Sequence, residues 1–354
     1  MTDYIIVGCG LAGIAFAETS INAGKSVVVF DNDTQTSSTV AAGVYNPVVL
    51  KRFTSLAHAQ EHLDEMNLFY DRLESKLNLK LNFRLPVLRR FTSIEDQNNW
   101  FIAADNPALA PFLSTDLIDA KFSGIESPYG FGEVLQTGYV NTAAQLLSYR
   151  NYLLNMGLLR NEFDYSTIQF GVDCVHYDDI TARHIVFAEG FGIQANPYFK
   201  YLPLDGTKGE LLLVRAPGLS LDVILNASLF ILPRGNNLFK VGATYEWTDK
   251  SNDPTLAGRS ELEAKLRDIL TCDFEVVGHY AGVRPTVRDR KPLIGTHPDF
   301  PRLHILNGLG TRGVMLAPAM AKSLFSHIET GTPMERANSI NRFKPWDLSI
   351  GRNS

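Results

Sequence analysis

The sequence predicts an α/β fold in which a mainly antiparallel β domain is inserted into a first domain built on parallel strands. Three observations carry this. The chain opens with an apolar run, a glycine turn, a stretch of helical period and a second apolar run. Its middle changes to short extended pieces broken by prolines and turn residues, and near residue 190 it returns to a buried-type strand that ends in small residues. At 354 residues the chain is long enough for two domains and a large core. The expected boundaries are 1–84, 141–205 and 280–354 for the first domain, and 85–140 with 206–279 for the second.

Tyr4-Ile5-Ile6-Val7 reads as the first strand. It breaks into Gly8-Cys9-Gly10-Leu11-Ala12-Gly13, and a helical stretch to Gly24 leads into Val27–Phe30 and then Asp31. The spacing answers three physical needs: Gly8 permits the tight turn, Gly10 lets the backbone with Leu11 and Ala12 approach a pyrophosphate, and Gly13 lets helix and strand pack. The helix N-terminus presents unpaired N–H groups and a positive dipole end to the phosphates, while Asp31 accepts from a ribose hydroxyl. This is a Rossmann-like dinucleotide site. The motif does not separate NAD from FAD.

After Asp31 the small residues Ala41, Ala42 and Gly43 lie in Val40–Pro47, which is either a surface for a flat ring or a plain turn. Lys51 and Arg52 follow, as solvated charges or as cations near that site. The periodicity predicts a helix over His58–Leu77, extended pieces from Phe83 to Val134, and a second helix opening at Asn141 or Thr142 and running to Gly157. Strands are expected near Thr167–Val172, through His184 to Gly190, over Lys208–Val214 and, as a hairpin turning at 233–237, over Leu229–Tyr245. Glu261–Leu270 and Ala317–Glu329 read as helices, and the tail from Glu335 is polar.

Composition narrows the function. With 45% hydrophobic and 20% charged residues the chain reads as an ordinary globular protein, and a net charge of −5 argues against DNA or anionic membrane as a partner. Cys9, Cys174 and Cys272 have no metal spacing and suggest no disulfide framework, so a reducing cytoplasm is the expected home and no metal is expected. No signal peptide and no run long enough to span a bilayer is read.

Further along, Gly282-Val283-Arg284-Pro285-Thr286, Asp289-Arg290-Lys291-Pro292-Leu293-Ile294-Gly295 and Asn307-Gly308-Leu309-Gly310-Thr311-Arg312-Gly313-Val314 resemble the C-terminal signature of the FAD-dependent D-amino-acid oxidase family, which includes glycine oxidase and sarcosine oxidase. Ala188-Glu189-Gly190, Lys208-Gly209-Glu210 and Val241-Gly242-Ala243-Thr244 fit the same order, so the likeness covers nearly the whole chain. The motifs around Arg288–Pro292 and Gly308–Gly313 are also similar to the oxidase half of the bifunctional enzyme that matures 5-methylaminomethyl-uridine in tRNA. The resemblance implies FAD as cofactor, held by the N-terminal glycine turn with Asp31, Ala41, Ala42, Gly43, Ala188, Gly190, Gly308, Gly310, Thr311, Arg312, Gly313 and Val314. The late glycine region contains no Cys, which implies non-covalent FAD.

The same resemblance places Arg284 where the family holds the substrate carboxylate, a role suited to a planar guanidinium that stays charged when buried; otherwise Arg284 pairs with an acid such as Asp289. Arg312 is either a second substrate contact or an anchor of its loop. Phe230 stands where glycine oxidase carries a Tyr, so a hydroxyl, if one is needed, comes from Tyr45, Tyr139 or Tyr245; Tyr245 is grouped with Arg284 and Arg312 as catalytic. None of the eight histidines falls in a motif. Three functions follow: oxidation of the C–N bond of an amino acid or N-substituted glycine by hydride transfer to FAD, with oxygen or another acceptor reoxidising it; oxidation of a carboxymethylaminomethyl-uridine in tRNA, with Lys51, Arg52, Arg89 and Arg90 as a basic rim; or a flavoprotein for 2-hydroxy acids, binding or electron transfer.

Overall fold

The computed structural model describes residues 1–343. Residues 344–354, part of the polar tail and of the first expected domain, lie outside the described residues. The apolar runs become the parallel strands Thr2–Val7 and Val27–Phe30, joined by the helix Leu11–Asn22. Their register, Tyr4 with Val27 through Val7 with Phe30, continues on the other side, where Ile5 pairs with Ile185 and Val7 with Phe187 of the strand Ile180–Phe187. Leu303–Asn307 joins that strand in parallel and Leu159–Arg160 closes the opposite edge. Such strands are covered on both faces, so they are apolar throughout instead of alternating. Tyr4, Ile5, Ile6, Ile185, Val186 and Phe187 are fully buried.

The second sheet has eight strands in the order 275–284, 207–215, 238–242, 230–233, 224–226, 87–90, 131–134, 113–118. All its pairings are antiparallel except 224–226 against 87–90. Alternation sorts its residues: Leu212 and Val214 turn inward with Val241, Leu262 and Leu266, so the helix Leu256–Arg267 covers that face. The opposite face looks toward the carboxyl ends of the parallel strands. The strand Glu275–Arg284 stays in this sheet along its whole length, past the expected change-over at 280.

Four elements differ from expectation. A helix, Ile94–Ala104, replaces extended chain; the Ser93 hydroxyl accepts the Asp96 N–H at 3.1 Å and starts it. The helix expected over Glu261–Leu270 runs over Leu256–Arg267, because Thr255 accepts the Gly258 N–H at 3.0 Å and caps it earlier. The strand expected over Thr167–Val172 is only Gln169–Phe170, preceded by the 3-10 turn Tyr165–Thr167. The closing helix begins at Gly313 instead of Ala317, which puts Pro318 inside it. Proline removes the bond that would reach back to the Val314 carbonyl. That carbonyl instead accepts the buried Tyr70 hydroxyl at 3.3 Å, offsetting the loss.

Candidate active site

A cavity of about 630 Å³ lies between the carboxyl ends of the parallel strands and the open face of the antiparallel sheet. Ligands of open α/β sheets bind in such a crevice. Val7, Phe30, Ala188 and Asn307 reach it from the strand ends, with Gly8, Cys9, Gly10, Leu11 and Ala12 from the glycine turn. Gly10 caps the first helix in extended conformation without a side-chain bond of its own; the Leu11 N–H reaches the Ser38 hydroxyl at 3.4 Å, and this first turn, with Leu11 and Ala12, borders the cavity. The last helix repeats the arrangement. Arg312 caps it with no side-chain bond, and Gly310, Thr311, Gly313 and Val314 line the cavity. Two positive helix ends therefore face one space.

The glycines divide by task. Gly8 has φ +103°, and a Cβ there would overlap the Ala188 carbonyl. Gly13 does not line the cavity; a Cβ on it would overlap the Gly8 carbonyl, so its smallness closes the turn onto the helix. Gly10 has no backbone in its way, and a Cβ would meet only the Ser38 hydroxyl at 3.2 Å. Gly43, at φ +74°, would overlap the Val140 carbonyl, while Ala41 and Ala42 line the cavity beside it. This segment is held by Lys240, whose ammonium donates to the Val40 carbonyl at 2.7 Å and the Ala41 carbonyl at 3.0 Å. Burial pushes the Lys240 pKa down to about 8. Nothing in the sequence singled out Lys240.

Among the described residues, four charged side chains line the cavity: Asp31, Arg150, Glu189 and Arg284. Asp31 is paired with Arg150, a residue of the helix Thr142–Asn155 that no motif marks. Burial raises the Asp31 pKa against the opposing pull of Arg150 and of the Cys9 and Asn32 N–H groups. The Cys9 thiol, pushed up to about 12 by burial, stays neutral. The Glu189 carboxyl takes bonds from the Tyr165 hydroxyl and, at 2.7 Å, from the Asn196 amide. Burial raises it from 4.5 to about 7 despite those bonds.

A carboxyl whose pKa is raised in the folded state binds an extra proton there, so its stabilisation is complete below pH 4.5 and is lost as pH rises through about 7. Glu189 keeps some contact with cavity water, so the loss is on the order of 1–2 kcal/mol. Thermal unfolding of Glu189→Gln is expected to show a flatter dependence between pH 4.5 and 7 than the parent chain; equal slopes would remove Glu189 as the cause.

Arg284 stands apart. It is half-buried, and among the described residues no carboxylate lies within ion-pair distance of it. Asp289, the alternative partner, is engaged by Arg342 at 2.7 Å. The Arg284 guanidinium donates to the Thr244 carbonyl at 3.3 Å and lies 4.8 Å from the centre of the Tyr245 ring. Its place exists because Gly209 has no side chain: a Cβ on Gly209 would overlap the guanidinium. The register Gly209 with Gly282, two residues before Thr207 with Arg284, sets this contact, and sequence reading had given Gly209 no role.

Other expected residues fall differently. Tyr245 lines the cavity and is exposed at its mouth, and Phe230 also lines it. Arg312 and Gly308 do not line it. A Cβ on Gly308 would press on Val287 and Leu293, so that glycine serves packing. The Tyr45 hydroxyl is bonded to Asn82 at 3.0 Å, and Tyr139 stacks on Phe83, so neither reaches the cavity. Lys51 and Arg52 are exposed on a separate hollow. Arg89 is paired with Asp96, and Arg90 donates to the Glu126 carbonyl. No histidine lines the cavity, and among the described residues no metal-holding cluster occurs and no helix is long and apolar enough to cross a membrane.

A crevice at parallel strand ends, with an uncapped helix behind a glycine turn, defines a dinucleotide-binding α/β protein. Residues 3–326 match the family of FAD dependent oxidoreductases known as DAO. The chain belongs to that family; it is an FAD-dependent oxidoreductase. Glycine oxidase of Bacillus subtilis is 24% identical over 353 residues, covering 90% of each chain. The tRNA 5-methylaminomethyl-2-thiouridine biosynthesis bifunctional protein of Azoarcus sp. is 29% identical over 175 residues, 43% of this chain and 27% of that one. Among solved structures, iminodiacetate oxidase from Chelativorans sp. superposes with a TM-score of 0.76 at 18% identity, covering 95% of this chain and 98% of the other, a likeness of fold. The residues fit the cofactor: two donor-bearing helix ends, glycines whose side chains would fill the turn, and a cavity large enough for an extended ligand.

Proposed function

We propose that the protein oxidises the C–N bond of an amino acid or N-substituted glycine. The observation that carries this is Arg284, the one cavity-lining cation without a carboxylate partner among the described residues. In this reading Gly8, Gly10, Leu11 and Ala12 hold the pyrophosphate, Asp31 the ribose, and Ala41–Gly43 with Gly310–Val314 the ring system. FAD held by these residues would supply a two-electron acceptor for the hydride on the carbon next to nitrogen, to be reoxidised by oxygen or another acceptor. The chain's own residues bind and orient. Arg284 grips the carboxylate through its planar fork, Tyr245 flanks it at the mouth, and the enclosing wall excludes water. The amine reacts neutral, so no dedicated acid or base is required, in keeping with a cavity that no histidine lines. The FAD-binding part corresponds to 1–84, 141–205 and 285–343, the substrate part to 85–140 and 206–279 with the rest of the strand Glu275–Arg284, and the setting is the cytoplasm.

The name of the B. subtilis relative, which matches over 90% of both chains, supports a glycine-like substrate. The match to the tRNA enzyme covers a minor part of that protein, and of the cations expected to form a tRNA rim Arg89 and Arg90 are tied to neighbours while Lys51 and Arg52 lie on a separate hollow. Anaerobic mixing of the yellow holoprotein with glycine, sarcosine and D-amino acids is expected to bleach the flavin. Bleaching by a 2-hydroxy acid and by none of the amines would overturn the reading, as would bleaching confined to modified tRNA.

A further inference from the structure

The sheet face that carries Arg284 also determines what can lie beside it. Leu211 pairs with Gly242 on one side, and Phe230 pairs with Gly242 on the other, so the three residues form one row across three strands. A Cβ on Gly242 would overlap Leu211 and lie 3.3 Å from the tip of the Phe230 ring. Both side chains therefore lean over the glycine and make a continuous apolar shelf. Gly209 lies two residues before Leu211 on the same face, directly under the Arg284 guanidinium. Gly209, Leu211, Gly242, Phe230 and Arg284 all line the cavity.

Among the described residues no second cation lines this shelf: Lys240, two residues before Gly242 on the same strand, is turned to the Val40 and Ala41 carbonyls, and neither it nor Arg312 lines the cavity. Lys208 and Glu210, which alternate with Gly209 and Leu211, point to the other face. There Lys208 is fully buried and bonded to Asp249 and Ser251, and Glu210 accepts from Thr255. Arg150 is engaged by Asp31 and lies with the nucleotide-turn residues. A ligand anchored at Arg284 thus meets one positive charge and then hydrocarbon. A second carboxylate on the shelf would lose its hydration with no partner to replace it. An apolar group there would gain by leaving water.

We propose that the site selects a monocarboxylate whose remaining end is apolar; resting on the reading above, the substrate is an amino acid with an apolar substituent on its nitrogen or α-carbon, in preference to glycine itself or to a diacid. Phe230 and Leu211 are the specificity-determining residues. The departure from a tyrosine at position 230 then has a purpose, since a phenyl ring completes the shelf without presenting a hydroxyl to it.

Binding tests this apart from oxidation. The holoprotein is titrated with acetate, phenylacetate and malonate while the flavin absorbance is followed. Phenylacetate is expected to bind at least about tenfold more tightly than acetate, and malonate no more tightly than acetate. Malonate binding best, or phenylacetate matching acetate, would overturn the proposal. Phe230→Gln is expected to reduce the phenylacetate-to-acetate preference at least about fivefold, and Phe230→Leu to keep it; a preference untouched by Phe230→Gln and by Leu211→Asn would overturn the assignment. Faster turnover of N-benzylglycine than glycine would put the substituent on nitrogen, and of phenylalanine on the α-carbon. Phenylacetate selectivity with no amine reducing the flavin would leave the shelf standing and remove the C–N reading instead.

Discussion

Arg284→Ala is expected to lower kcat/KM for an amino-acid substrate by at least about 100-fold while the purified protein remains yellow. Removing one partner of a desolvated, hydrogen-bonded charge pair costs about 2–5 kcal/mol, much of it from the partner left unpaired. Here the stranded partner would be the substrate's carboxylate, on a sheet face from which, among the described residues, no other cation lines the cavity. FAD retention should survive, because the guanidinium lies against Gly209, the Thr244 carbonyl and the Tyr245 ring, all of the antiparallel sheet side, and is bonded to no part of the glycine turn. The loss should appear in KM at least as much as in kcat, since the grip is present before the reaction as well as during it. Arg284→Lys should recover a minor share, because an ammonium keeps the charge and loses the fork. Steady-state kinetics with flavin content measured on the same preparations decide it. A colourless Arg284→Ala protein would mean that this arginine supports the fold, and unchanged kinetics would mean that the acid binds elsewhere.

Gly10→Val is expected to yield a folded protein that no longer retains FAD. The reason is geometric. The empty side of Gly10 faces the Ser38 hydroxyl and the cavity, with no backbone nearby, so valine fits the apoprotein with a small shift of Ser38. It would instead fill the space through which a pyrophosphate approaches the helix N-terminus. Gly13 supplies the contrast: even Ala there collides with the Gly8 carbonyl, so Gly13→Ala should damage the turn itself. The check is circular dichroism and gel filtration beside the flavin spectrum. Native-like Gly10→Val with a full complement of FAD would dismiss the phosphate-turn assignment.

The parts of this molecule that were legible in the sequence are those whose cause is local. Gly8, Gly10 and Gly13 announce a turn because their spacing and the flanking apolar runs are contiguous, and the strands and helix around them appear as expected. The hairpin at 233–237 was visible for the same reason. What could not be read depends on residues far apart in the chain. Arg150 meets Asp31, Lys240 meets Val40 and Ala41, and Gly209 makes room for Arg284, each through tertiary contact alone. Gly308 adds a cause the motif did not show: a side chain there would press on Val287 and Leu293, so the glycine has a packing reason of its own. The helix Ile94–Ala104 had a local cue, Ser93 three residues before Asp96, which prolines and aromatics on either side obscured.

Pro318 severs a rung of the closing helix just behind its cavity-facing turn, and Tyr70 mends it from the helix Ala59–Leu77. The turn that opens toward the cavity is thus tethered sideways to another element as well as lengthwise to its own. Repacking the distant end of that neighbouring helix would tug on Val314 and so reshape the cavity wall, with every residue of the late glycine loop left as it is.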